Sequence, residues 1–131
     1  MSRILIIEDQ ADIRRLIRWA LEPENHEIFE ASNGERGLAA AQTAQPDLII
    51  LDVRMPGTLD GFQVCQRLKA DPELAKRPVV MLTALARERD REAGERAGAD
   101  AYLPKPFSPI ELIRTVTGLL TDAKKALEPA A

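Results

Sequence analysis

Three short runs of aliphatic residues, Ile4–Ile7, Leu48–Leu51 and Val79–Leu82, constrain the fold of this chain most tightly. A strand with one wet face alternates apolar and polar residues. A run with no polar break is covered on both faces, as in the middle of a parallel sheet. Each run stops at a polar residue: Glu8 and Asp9, Asp52, and Thr83. Glu27–Ala31 and Ala101–Leu103 are weaker strand candidates, suited to positions nearer the edges.

Helical patterns occupy the intervals. Ile13, Leu16, Ile17, Ala20 and Leu21 recur at helical spacing. They predict a buried stripe of Ile13, Leu16, Ile17 and Leu21, with Trp19 outward beside Arg14, Arg15 and Arg18. Ser32-Asn33-Gly34-Glu35 reads as a capping box opening a helix to about Ala44. Phe62–Lys69 is helical until Asp71-Pro72 stops it, with Phe62, Val64, Cys65 and Leu68 as packing positions. Arg87–Ala97 is charged, carries a thin alanine stripe, sets Glu92 and Arg96 four apart, and is closed by Gly98. Ser108-Pro109-Ile110-Glu111 is the strongest helix start, leading to Leu120 or on to Leu127. His26 reads as a loop residue. Strand and helix alternate five times, which predicts an α/β fold with helices on both faces of a parallel sheet.

At 131 residues the chain suits one domain, expected at 1–122, with 123–131 as a helical extension whose last residues, Glu128–Ala131, fray. One cysteine and one histidine exclude an internal disulfide and a Cys/His zinc cluster. Net charge is −3 with both signs interspersed. No basic stripe tracks phosphates, so direct nucleic-acid binding is not expected. The apolar run near the N-terminus is too short for a signal segment or a membrane span, and a cytoplasmic location is expected.

Sites on open parallel sheets form at the carboxyl ends of the strands. Glu8, Asp9, Asp52, Thr83 and Lys105 all follow strands, and neighbouring strands would bring them to one rim. Three carboxylates together require a cation, and an oxygen-only, highly charged set suits Mg²⁺. Lys105 can neutralise a phosphoryl oxygen, Thr83 offers a hydroxyl, and a carboxylate between metal and lysine can attack phosphorus. Taken singly, each residue has a plainer reading: a helix N-terminal charge, a cap, a backbone partner, a Lys-Pro turn. Their conjunction at the ends of four strands favours chemistry.

With Glu8-Asp9, Asp52-Val53-Arg54-Met55-Pro56-Gly57, Asp60-Gly61, Thr83-Ala84 and Lys105-Pro106-Phe107 in view, the chain resembles the receiver domain of bacterial response regulators from Ile4 to about Leu120. The resemblance implies a flavodoxin-like, doubly wound sheet of order 2-1-3-4-5. It implies that Asp52 accepts a phosphoryl group from a phosphohistidine on a sensor histidine kinase or histidine phosphotransfer protein. Mg²⁺ or Mn²⁺ would be held by Asp9, Asp52 and the Arg54 backbone carbonyl, with Glu8 acting largely through water. Thr83 and Lys105 would bind phosphoryl oxygens, Tyr102 would be the switch aromatic that turns inward as Thr83 moves, and the Lys105-Pro106 bond would be cis. A stand-alone receiver is expected, signalling to a downstream effector through protein contacts, either as a monomer or as a phosphorylation-promoted dimer. It would be a signalling phosphoacceptor, not an enzyme with its own substrate.

Two departures stand out. The stretch Gly57-Thr58-Leu59-Asp60-Gly61 is one residue longer than the commonest form of this loop, and the acidic pair is Glu-Asp where Asp-Asp is also common. Arg54, two after Asp52, cannot serve as an acid/base, which predicts a long-lived phosphoryl group. The weakly anchored helix Arg87–Ala97 suits a movable element, or a plain solvated surface. Trp19 ringed by arginines suggests a docking face for the histidine donor, or a ring lying over the domain edge. Two other readings compete: a binding module of this fold that works without phosphorylation, which the complete acid–Asp–Thr–Lys set disfavours, and a small α/β enzyme or flavin carrier, disfavoured by the lack of a Gly-rich loop after the first strand.

Overall fold

In a computed structural model, the described residues are 1–55, 57–84 and 88–127. Strand and helix alternate in the order β1 (Ser2–Ile7), α1 (Ala11–Leu21), β2 (His26–Ala31), α2 (Gly34–Ala44), β3 (Leu48–Asp52), α3 (Gly61–Ala70), β4 (Val79–Thr83), α4 (Glu88–Ala97), β5 (Ala101–Pro104) and α5 (Pro109–Leu127). A single 3-10 turn, Glu22–Glu24, follows α1. All pairings are parallel and the strand order is β2-β1-β3-β4-β5, the doubly wound arrangement expected. The two weaker strand candidates are the two edges.

The unbroken runs divide by parity. Leu5, Ile7, Ile49, Leu51, Val79 and Met81 face one way, with Val64, Cys65 and Leu68 of α3, Ala41 of α2 and Ala97 of α4. Ile4, Ile6, Leu48, Ile50, Val80 and Leu82 face the other way, with Ile17 and Leu21 of α1 and Leu112 and Val116 of α5. Burying each such Leu or Ile contributes about 1.5–3 kcal/mol. Two covered faces are therefore what make the sheet rigid enough to hold side chains at its rim.

Helix ends follow local chemistry. Ser108 accepts from the Glu111 N–H at 3.0 Å, and Pro109 is the first residue of α5. Asp60 and Gln63 form a reciprocal capping box at the start of α3, and Asp71 closes that helix. Gly98, at φ +97°, follows α4. Arg87 lies outside the described residues, as do Glu128–Ala131. The Glu92–Arg96 pairing takes a different form: Arg96 Nε donates to the Glu92 backbone carbonyl at 3.4 Å.

Three expectations are corrected. Leu16 is 39% exposed, because the sheet-facing line of α1 runs through Ile17, Ala20 and Leu21, leaving Leu16 on the flank. Asn33, not Ser32, caps α2, accepting from the Arg36 N–H at 2.8 Å. Both types cap well, and β2 ends at Ala31 with Ser32 as a spacer. His26 opens β2 as the partner of Ser2 and is not a loop residue.

Candidate functional site

The pocket is assembled by strand register. Ile7 stands beside Leu51, Asp52 beside Leu82, and Thr83 beside Pro104, so the residues that follow β1 and end β3, β4 and β5 share one rim. Glu8 is completely buried, and Asp52 and Thr83 are nearly so; these are the buried polar residues of the described chain. One oxygen each from Glu8, Asp9 and Asp52 can lie within 4.8 Å of the others. Lys105 Nζ sits between two of them, 3.2 Å from Glu8 Oε2 and 3.3 Å from Asp52 Oδ1. The Lys105–Pro106 peptide is cis, and the Lys105 N–H donates to the Thr83 carbonyl at 2.6 Å.

The electrostatics follow from burial. Loss of water pushes the Glu8 carboxyl up to about 7, and the Asp52 charge pushes the same way while Lys105 opposes both. Asp52 is also raised, first by burial, against the pull of Lys105. Among the described residues one ammonium faces three carboxylates, so the pocket holds more acidic groups than cations, all of them oxygen ligands. That donor set fits a hard dication.

The backbone around Asp52 is tightly held. The Arg54 N–H approaches Asp52 Oδ1 at 3.4 Å, and the Val53 N–H donates to the Leu82 carbonyl at 2.9 Å. The lengthened loop returns onto the same strand end. Leu59 plugs into the core, the Thr58 hydroxyl donates to Glu35, and the Gly61 N–H donates to the Val53 carbonyl at 2.9 Å. A Cβ on Gly61 would stand 2.7 Å from Val53 Cα and closer still to the Asp52 carbonyl oxygen. Glycine is therefore required where α3 meets the strand end.

Arg14 has a role that sequence reasoning missed. Its Nη1 donates to the backbone carbonyls of Glu8 at 2.7 Å and Asp9 at 3.2 Å, and its Nε to Glu30 at 3.1 Å. It fixes the backbone of the acidic pair from α1. Arg18 is occupied too, by Glu22 and Glu30 at 2.6 and 2.8 Å. Of the expected docking set, Arg15 and Trp19 remain as the exposed members, Trp19 at 69%. Tyr102 is not in the acid pocket; its ring is half-buried on the α3–α4 side of β5. A cavity of about 870 Å³ lies at the opposite end of the sheet, beside Asp47, Lys69, Pro78 and Asp100, and none of the five site residues lines it.

Known proteins match this arrangement. Residues 4–117 match the response regulator receiver domain family. The chain belongs to that family. The receiver is 45% identical over 124 residues to the transcriptional regulatory protein ResD of Bacillus subtilis, covering 95% of this chain and 50% of ResD. It spans about half the length of the curated relatives it matches. Among solved structures, a putative response regulator from Chloroflexus aurantiacus superimposes with a TM-score of 0.87 at 34% identity, covering 92% of this chain and 98% of that one. The receiver domain of the sensor histidine kinase PA1611 from Pseudomonas aeruginosa, with a magnesium ion coordinated in its active-site cleft, gives 0.84 at 29% identity over 92% and 98%. The receiver is thus a two-component signalling domain. Among its described residues no helix is long and apolar enough to cross a membrane.

Proposed function

We propose that Asp52 is the phosphoacceptor and takes a phosphoryl group from a phosphohistidine. The observation that carries this is Asp52 buried at a strand end, with Lys105 3.3 Å from its Oδ1 and the carboxylates of Glu8 and Asp9 beside it. An Asp52 oxygen attacks phosphorus, the P–N bond breaks, and the imidazole leaves with the electron pair. Lys105 holds the nucleophilic carboxylate and offers its charge to the oxygens of the arriving group. Thr83, at the end of the neighbouring strand, supplies a hydroxyl donor to them. Glu8, Asp9, Asp52 and the Arg54 carbonyl are the groups that would hold Mg²⁺, which supplies charge neutralisation at phosphorus when bound. Arg14 keeps the acidic pair in place by gripping its carbonyls.

A guanidinium cannot serve as general acid or base, so with exposed Arg54 beside Asp52 hydrolysis of the acyl phosphate is slow. The domain signals and does not turn over a substrate of its own. The donor is a sensor histidine kinase or a histidine phosphotransfer protein. Its docking face centres on Trp19, with Arg15 and the flank residue Leu16, since Arg14 and Arg18 are engaged within the domain.

Incubation with acetyl phosphate and Mg²⁺, followed by intact mass, should show one added phosphoryl group that is absent in Asp52→Ala. No adduct from acetyl phosphate or from a histidine donor would refute the phosphoacceptor reading. Trp19→Ala should leave acetyl phosphate labelling unchanged and slow transfer from the donor about tenfold or more, as for a hot-spot aromatic. Unchanged transfer from the donor would remove the docking face.

A further inference from the structure

We infer that Gly94 is the seat of the switch aromatic: its missing side chain leaves the space in which the Tyr102 ring rests, and this sets how readily the ring moves when Asp52 is phosphorylated. The first half stands on packing, and the second rests on the proposed function.

A Cβ built on Gly94 would lie 2.7 Å from Tyr102 Cζ and nearer still to Cε1 and the hydroxyl oxygen. Real side chains do not approach so closely, so either the ring or α4 must shift if residue 94 has one. Glycine in a helix interior is a poor choice on intrinsic grounds, since alanine loses less conformational freedom. Its place in the middle of α4 is accounted for by the ring lying against it. A local rule broken with a compensating contact is what functional positions look like.

Shape alone retains the ring. The Tyr102 hydroxyl is enclosed and has no hydrogen-bond partner among the described residues. A buried hydroxyl without a partner is disfavoured, so any position in which it finds one competes with this seat. Burial also pushes the phenol up to about 12, so the group stays neutral at physiological pH. Around the seat, Cys65 of α3 donates to the Ala97 carbonyl at 3.4 Å, tying the last turn of α4 to the neighbouring helix. Tyr102 stands beside Met81, two residues before Thr83 on β4, so the seat and the phosphoryl site are linked by one short strand segment. A ring held by fit, with no polar anchor, and adjoining that segment is a two-position element that phosphorylation can bias.

The test uses the chain's single tyrosine. With 3-fluorotyrosine incorporated, one ¹⁹F resonance reports the ring. Gly94→Ala should move that resonance in the unphosphorylated protein. It should also shrink the further change produced by acetyl phosphate and Mg²⁺ to less than half. Alanine at 94 should lower the melting temperature in the parent chain but raise it in a Tyr102→Ala background, where the space is free and only helix preference remains. An unmoved resonance, or the same melting shift in both backgrounds, overturns the seat. A moved resonance with an undiminished phosphorylation response overturns its control of the switch. If mass spectrometry finds no phosphoryl adduct, the phosphoacceptor reading fails and control of the switch fails with it, while the seat is decided by the resting resonance and the melting cycle.

Discussion

At the N-terminal ends of the strands, charges are matched. Lys69 Nζ donates to Asp100 at 2.9 Å and to the carbonyls of Ala75 and Arg77 at 3.2 and 2.9 Å, and the same Asp100 oxygen accepts from the Val79 N–H at 2.8 Å. Asp47 accepts from the Arg3 N–H at 2.7 Å and pairs with Arg77 at 3.4 Å. At the C-terminal ends, Glu8, Asp9 and Asp52 face one ammonium among the described residues, and two of the three are buried. The same sheet thus carries one end arranged for stability and another held in electrostatic imbalance. A cluster of like charges held around one ammonium cannot also be at its own stability optimum.

Asp52 gives the sharpest break between the two ends. Asp52→Asn should abolish the phosphoryl adduct while making the ion-free protein more stable by about 0.5–2 kcal/mol, because it removes one of the clustered charges. Urea unfolding in chelator, alongside intact mass, measures both. A destabilised Asn variant would mean that the cluster is not in imbalance. Lys105→Ala comes next. Losing a preorganised charge at a reacting group typically costs about 10²–10³-fold in rate. Labelling by acetyl phosphate at saturating Mg²⁺ should slow by about that factor, and a slowing under threefold would remove Lys105 from the reaction.

The opposite end should respond in the opposite sense. Asp100→Ala leaves the Val79 N–H and Lys69 without their carboxylate partner. A buried donor deprived of its acceptor costs about 1–3 kcal/mol, so denaturant stability should fall by that amount. Labelling of Asp52, measured well below the melting temperature, should stay within about twofold, as expected of distant independent sites. A large loss of labelling would show that the two ends are not independent.

Much of this contrast was legible in the sequence. Unbroken aliphatic runs suit strands covered on both sides, and the residue where each run stops then emerges at the rim; that logic reached Glu8, Asp9, Asp52 and Thr83, while Lys105 follows the weaker candidate Ala101–Leu103. Features that depend on how elements meet were not legible. Helical spacing names a stripe on α1 but does not say which flank the sheet covers, so it predicts Leu16 inside where the structure leaves it on the flank. Three arginines on α1 looked alike, and only folding brings Arg14 back to the carbonyls of Glu8 and Asp9. A glycine inside a charged helix is odd by itself, but its reason is not legible, because its partner Tyr102 is eight positions later and meets it only through the packing of α4 on β5.

The pH dependence of the acid end gives the smallest effect and the most direct test of the imbalance. Glu8 titrates near 7 in the folded, ion-free protein and near 4.5 when unfolded. Its folded pKa is raised, so its contribution to stability is fully present below about 4.5 and is lost as pH rises through about 7. Asp52 is raised as well and acts in the same sense. The ion-free receiver should therefore lose stability on going from pH 6 to pH 8, a trend opposite to that of proteins with salt-bridged carboxylates. In the proposed metal site Mg²⁺ displaces the Glu8 proton, so its affinity should rise over the same interval, by up to about tenfold per pH unit for one proton released. Calorimetric titrations in buffers of different ionisation enthalpy would count that proton. Glu8→Gln should flatten both trends, and a Gln variant that keeps them would assign the proton to Asp52.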